Sequence, residues 1–106
     1  FVAIEKQQPF PKQGVVSTFK IGMHYGMILG ILNTLQIPYE EISPRKWQKE
    51  MIGNGKKKRK ISKELSLKKA KALFPKVDIG KHDGKSDALL IAEYARRTIL
   101  QNIQNG

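Results

Sequence analysis

The 106-residue sequence contains no cysteine, which excludes a disulfide framework and a thiolate zinc site and is compatible with the cytosol. It has no unbroken run of about 18 apolar residues and no charged leader ahead of an apolar stretch, so neither a membrane span nor a signal peptide is expected. Acid is scarce as well: 9 Asp and Glu stand against 20 Lys and Arg, leaving a formal charge of +11 with neutral histidines. Such an excess on one modest domain, taken as residues 1–106, points to a polyanionic partner. Nucleic acid is the first reading and an anionic membrane surface the second.

What is present starts abruptly. Phe1-Val2-Ala3-Ile4-Glu5 reads as a buried strand already under way. Two readings stand for this beginning: a fragment or processed product, or an ordinary edge strand that starts at a cleavage site. Pro9, Pro11 and Gly14 then make residues 7–14 a loop. Ser17 or Thr18 is placed to cap a long helix running to about Gln36, with Phe19, Gly22, Met23, Gly26, Met27, Gly30, Ile31 and Thr34 at spacings of three and four.

Gly22, Gly26 and Gly30 fall every fourth residue on one face, each costing about 1 kcal/mol of helix propensity relative to alanine. A close approach must offset that cost, made either by another element of the same core or by a second subunit. The aliphatic and methionine side chains elsewhere on this helix predict burial on more than one side, and Met23 and Met27 are read as packing rather than as a metal feature.

Residues 38–42 form a short strand candidate. Ser43-Pro44 supplies an N-cap and a first-turn proline for a helix to about Met51, which carries Arg45, Lys46 and Lys49. Gly53 and Gly55 allow a bend before Lys56, Lys57, Lys58, Arg59 and Lys60, five consecutive cations that repel one another unless solvated or facing anions. A phosphate backbone is the functional reading of this run; an import tract or a solvated loop is the alternative. Ser62 is placed to cap the next helix, and Pro75 stops it.

A last helix is expected to open between Asp83 and Ser86 and to reach about Asn102. Asp83 and Asp87 stand four apart, on one helical face if both are helical. Asp83 serves equally as an N-cap, and Asp87 as a first-turn acid favoured by the dipole. The following Ala88-Leu89-Leu90-Ile91-Ala92 draws the Asp87 turn towards the core, where a carboxylate needs a cation or hydrogen-bond donors to stay charged. His82 is open to a metal-ligand, water-orienting or merely solvated role. Glu93 is expected at the surface, with Arg96 and Arg97 contributing little beyond solubility.

In order along the chain, residues 2–5 (VAIE), 14–19 (GVVSTF), 22–26 (GMHYG), 43–47 (SPRKW) and 83–92 (DGKSDALLIA) resemble successive landmarks of RuvC-type Holliday-junction resolvases, in particular divergent phage and bacterial ones. The resemblance covers nearly the whole chain. It implies an α/β fold of the RNase H-like, RuvC type, present as a C-terminal portion without the first three strands. The first of those strands carries the family's leading aspartate, so this chain taken alone is expected to be a poor nuclease. Either a second chain or fragment supplies the missing strands, or the chain is a truncated product stabilised by association.

On the same resemblance, Glu5 and Asp87 are metal-ligating and catalytic acids, and Asp83 is the further ligand, although the older bacterial pattern places the last two aspartates three apart rather than four. His82 is a secondary candidate for metal contact or water activation. The cofactor implied is Mg²⁺ or Mn²⁺, as a pair of ions per complete site. Phe19 lies where family members carry an aromatic that wedges against unpaired bases. Arg45, Lys46, Lys49 and residues 56–60 are the DNA-binding cations, with Gln48 occupying one position where a base is usual. The implied partners are branched DNA and a second copy of the chain paired through the long glycine-bearing helix, without a membrane. The implied setting is the cytoplasm of a bacterial or phage-infected cell, and the implied activity is paired phosphodiester hydrolysis at a four-way junction. A non-catalytic basic DNA-binding or assembly protein on the same scaffold, or an RNase H-like nuclease with another DNA substrate, is the rival.

Overall fold

The computed structural model describes residues 1–9, 11–53, 59–81 and 83–105. Two short strands and four helices follow one another as β1 (Val2–Glu5), α1 (Val15–Thr34), β2 (Tyr39–Ile42), α2 (Pro44–Met51), α3 (Arg59–Leu73) and α4 (Asp83–Asn105). The chain separates into two compact units, Phe1–Glu41 and Ile42–Gly106.

In the first unit β1 and β2 pair as a two-stranded sheet. The Val2 amide donates to the Pro38 carbonyl at 2.9 Å, so the two strands begin side by side and run in the same direction. Parallel neighbours need a long crossover, which α1 supplies. Tyr25 donates its hydroxyl hydrogen to a Glu41 carboxylate oxygen, and Asn33 Nδ2 donates to the Tyr39 hydroxyl at 3.2 Å. Tyr39 and Glu41 alternate with Glu40 along β2, so these bonds tie α1 to one side of the strand.

The start of α1 differs from the sequence expectation. Gly14, in extended backbone, is the N-cap, and neither Ser17 nor Thr18 is. Thr18 lies inside the first turn and returns its hydroxyl to the Gly14 carbonyl at 2.9 Å, the back-bonding available to a helical threonine. The end is a main-chain lock. Gln36 takes a left-handed φ of 56°, its amide bonds to Asn33 O at 3.2 Å, and the Ile37 amide reaches Leu32 O at 2.9 Å. This pair of bonds closes a Schellman motif and satisfies two orphan carbonyls.

Burial of α1 on several sides is not what the fold provides. Leu32 is its one buried residue, while Phe19, Met23, Met27, Ile28 and Ile31 are exposed. A side-chain Cβ built at Gly22, Gly26 or Gly30 meets nothing within 4 Å, so no described element of this chain makes the close approach that the glycines suggest. By length and composition alone α1, at 20 residues, is also long and apolar enough to cross a membrane.

The second unit is built on α4, against which both α2 and α3 pack. Ser43 precedes α2 in extended backbone with Pro44 at the first helical position, as expected, although its hydroxyl makes no capping bond. Trp47 and Met51, four residues apart on one face of α2, are buried. Ile42, Ala70, Ile79, Leu90, Ile91 and Ala95 complete the apolar interior. Helix α3 begins at Arg59, ahead of the Ser62 cap expected from the sequence, and ends at Leu73 before Pro75. Helix α4 begins at Asp83 as expected and continues to Asn105.

Candidate functional site

The hydrogen-bonded cluster around Asp87 grows from two helical patterns. On α3, Ser62, Ser66 and Ala70 recur every fourth residue, and Ser66 and Ala70 are buried. On α4, Ser86 and Leu90 repeat the spacing and are fully buried. Small residues on both helices let them approach closely. Their hydroxyls meet in the interior: Ser66 Oγ lies 2.9 Å from Ser86 Oγ, and Ser66 Oγ donates to Asp87 Oδ1 at 2.5 Å.

Ser66 gives its single hydroxyl hydrogen to Asp87, and its oxygen lies within hydrogen-bond distance of the Ser86 hydroxyl, so the three side chains form one polar cluster whose bonds polarise one another. Asp87 is half-buried, and a short bond to a charged oxygen is stronger than its neutral counterpart. This is the donor that the sequence requires of a carboxylate at the core boundary. The sequence reading did not single out Ser66 or Ser86; the signal available for them was the small-residue repeat.

The face of α3 away from Ser66 and Ala70 carries cations. Lys60, Lys68 and Lys71, with Glu64 among them, fall along that face by helical spacing, and all are exposed. Arg45, Lys46 and Lys49 on α2 are exposed too. Helix α3 therefore presents a hydroxyl to Asp87 on one side and lysines to solvent on the other.

The remaining sequence candidates are distributed as follows. Glu5 ends β1 in the first unit, whereas Asp87 belongs to the second. Phe19 is exposed on α1. His82, Lys56, Lys57 and Lys58, and the side chains of Arg59 and Asp83, lie outside the described residues. Among the described residues no group of three or more His, Asp or Glu side chains is gathered to hold a metal ion.

Farther along α4, Glu93 departs from its expected surface role. Its side chain is 12% exposed and lies 2.6 Å from Arg96 and 3.1 Å from Arg97. Hydrogen bonds from Arg96, then Arg97, outweigh burial and hold the Glu93 carboxyl down at about 2. Arg97 also lies 3.8 Å from the Met51 sulfur, so these arginines do more than confer solubility: they order this turn of α4, and Arg97 reaches α2. An adjoining groove of about 520 Å³ is lined by Glu50, Tyr94, Arg97, Thr98, Leu100 and Gln101. Among the described lining residues Arg97 is the one lysine or arginine, and it is already engaged by Glu93.

In the first unit, burial and the hydrogen bond to Glu41 push the Tyr25 phenol up to about 12. The effect keeps the hydroxyl protonated and donating.

No family model, curated protein or solved structure matches the chain.

Proposed function

We propose that this chain is the acid-bearing and DNA-binding part of a metal-dependent, structure-specific endonuclease that resolves four-way DNA junctions. The observation that carries the reading is the Asp87 carboxylate, fixed at the core boundary by a hydroxyl of a helix whose opposite face carries lysines. A carboxylate in this position is oriented by that bond, and a polyanion held along α3 or α2 is a partner suited to the net charge of +11.

The donor chemistry fits the implied cation. Glu5, Asp83 and Asp87 offer only hard, anionic oxygen, the ligand type that Mg²⁺ and Mn²⁺ prefer. When bound, such ions supply Lewis acidity for water attack on a phosphodiester and for departure of the 3′ oxygen. The chain's own residues do the rest. On the resemblance, Asp87, with its carboxylate plane set by Ser66, would be a ligand together with Glu5 and Asp83, and His82 would be a secondary candidate to contact the metal or orient water. Arg45, Lys46, Lys49 and the cations of residues 56–60 neutralise phosphate charge, whose contribution to binding falls with added salt.

In the same proposal α1 pairs with a second copy. Three open glycines leave about 3 kcal/mol of helix propensity unrepaid within the chain, and exposed Met23, Met27 and Ile31 offer apolar area for the contact. Phe19 is then available to lie against unpaired bases of the branch.

The rival is a non-catalytic DNA-binding protein on the same scaffold, favoured by the lack of a gathered ligand group among the described residues. Asp87→Asn in the full-length protein, completed by the Asp-bearing strand the resemblance calls for, separates the two. The expected result is unchanged affinity for a four-way junction with loss of Mg²⁺-dependent cleavage by at least about a hundredfold, as for removal of a direct metal ligand. Cleavage retained in this variant would rule out the ligand role. Junction binding with no cleavage in the unsubstituted protein would favour the rival.

A further inference from the structure

We infer that Ser66 is a positioning residue for the metal-binding carboxylate, coupling the lysine-bearing helix α3 to the acid on α4; this rests on the proposed ligand role of Asp87. Two independent features support it. The first is geometry: Ser66 is 1% exposed, and its Oγ lies 2.5 Å from Asp87 Oδ1 and 2.9 Å from Ser86 Oγ. The second is cost. A serine hydroxyl enclosed between helices loses water, and the site is tolerated because the hydroxyl has hydrogen-bond partners in both Asp87 and Ser86.

A packing role alone would be met by alanine at this place, as it is one turn later at Ala70. The hydroxyl instead fixes one oxygen of Asp87, which sets the carboxylate plane and limits rotation about its Cβ–Cγ bond. A ligand held in this way loses less freedom when a divalent cation binds, and such supporting bonds commonly contribute about 10- to 100-fold in metal affinity. Because Ser66 rides on the helix that carries Lys60, Lys68 and Lys71, its hydrogen bond links the lysine-bearing helix to Asp87.

The test measures Mn²⁺ binding to the full-length protein, by electron paramagnetic resonance without DNA, alongside thermal unfolding. Ser66→Ala is expected to weaken Mn²⁺ about tenfold. Ser86→Ala, which removes a buried hydroxyl from the same cluster but spares the donor to Asp87, is expected to change it less than about threefold because it acts one bond farther away. Lys68→Ala is expected to leave Mn²⁺ affinity unchanged while weakening DNA. Should Ser66→Ala fail to fold, Ser66→Cys fills nearly the same space with a weak donor and is expected to show the same direction of loss.

Mn²⁺ affinity within twofold of the parent in a folded Ser66 variant, with Asp87→Asn abolishing binding, would overturn the positioning role and leave the proposed function intact. Equal losses in the Ser66→Ala and Ser86→Ala variants would overturn it too, since a general packing defect then explains both. Retention of Mn²⁺ binding by Asp87→Asn would instead remove the ligand role on which the inference stands.

Discussion

In the second unit Trp47, Leu90, Ser66 and Ser86 are enclosed almost completely and Met51, Ile79, Ile91 and Ala95 are buried with them, whereas among the described residues of the first unit Leu32 alone is buried. The contrast runs against composition. Helix α1 carries one Lys and no Asp, Glu or Arg over its 20 residues, while α4 carries six charged residues over 23. What separates them is arrangement. Helix α4 gathers its apolar side chains towards α2 and α3 and leaves its charges at the margins; α1 spreads apolar residues around its circumference, so one packed side cannot cover them. Hydrophobicity in a helix predicts that something must cover it, and patterning decides whether the same chain can.

The comparison is broken most directly by truncation. Trp47→Ala should cost about 3–5 kcal/mol, whereas Met23→Ala should stay within about 0.5 kcal/mol, as for an exposed site. Denaturant unfolding of the two variants checks this. Equal losses would mean that the α1 surface is covered after all.

A smaller effect sharpens the same point. With nothing within 4 Å of a Cβ at position 26, Gly26→Ala should stabilise an isolated copy by about 1 kcal/mol. If a second copy packs across that face, the same change should lower the dimer fraction in analytical ultracentrifugation. A higher melting temperature with an unaltered sedimentation profile would count against α1 pairing.

The smallest effects concern pH and separate the units by the sign of their response. Glu93 has its folded value depressed to about 2 from the 4.5 of a free carboxyl; its stabilising contribution is present above about pH 4.5 and is lost as pH falls through 2. Tyr25 has its folded value raised from 10.0 to about 12; its contribution is complete below pH 10 and fades as pH rises through 12. Glu93→Gln should flatten the acid limb of an unfolding profile, and Tyr25→Phe the alkaline limb. The exposed arginines beside Glu93 are screened by salt, so its effect should shrink at high ionic strength.

Much of the secondary structure was legible because local signals were strong. Pro9, Pro11 and Gly14 mark the first loop, Ser43-Pro44 opens α2, and Pro75 follows the end of α3. Boundaries were less so. Threonine at position 18 bonds backward into the turn as readily as forward, which moved the α1 cap to Gly14, and the Arg59 start of α3 lies within a charge run that carries no capping signal. The candidate site was half legible. Asp87 was evident from its place before an apolar stretch, and the sequence stated that it needed a donor, but the donor sits 21 residues earlier on another helix. Spacing within one helix cannot name a partner across an interface. Glu93 was misread for a different reason: Arg96 and Arg97 stand three and four residues farther along α4, a spacing that sets them beside the acid and was legible in the sequence but went unused.

The connection from α1 to β2 works as a ruler. Its Gln36 and Ile37 amides bond back to the Asn33 and Leu32 carbonyls in the last turn of α1, so its length is set by backbone geometry rather than by which side chains happen to occupy it. Because strand side chains alternate, one residue inserted between Pro38 and Tyr39 would slip β2 by a single step. Ile42 would turn out of the interior, and Glu41 would lose Tyr25, without any change in the residues themselves.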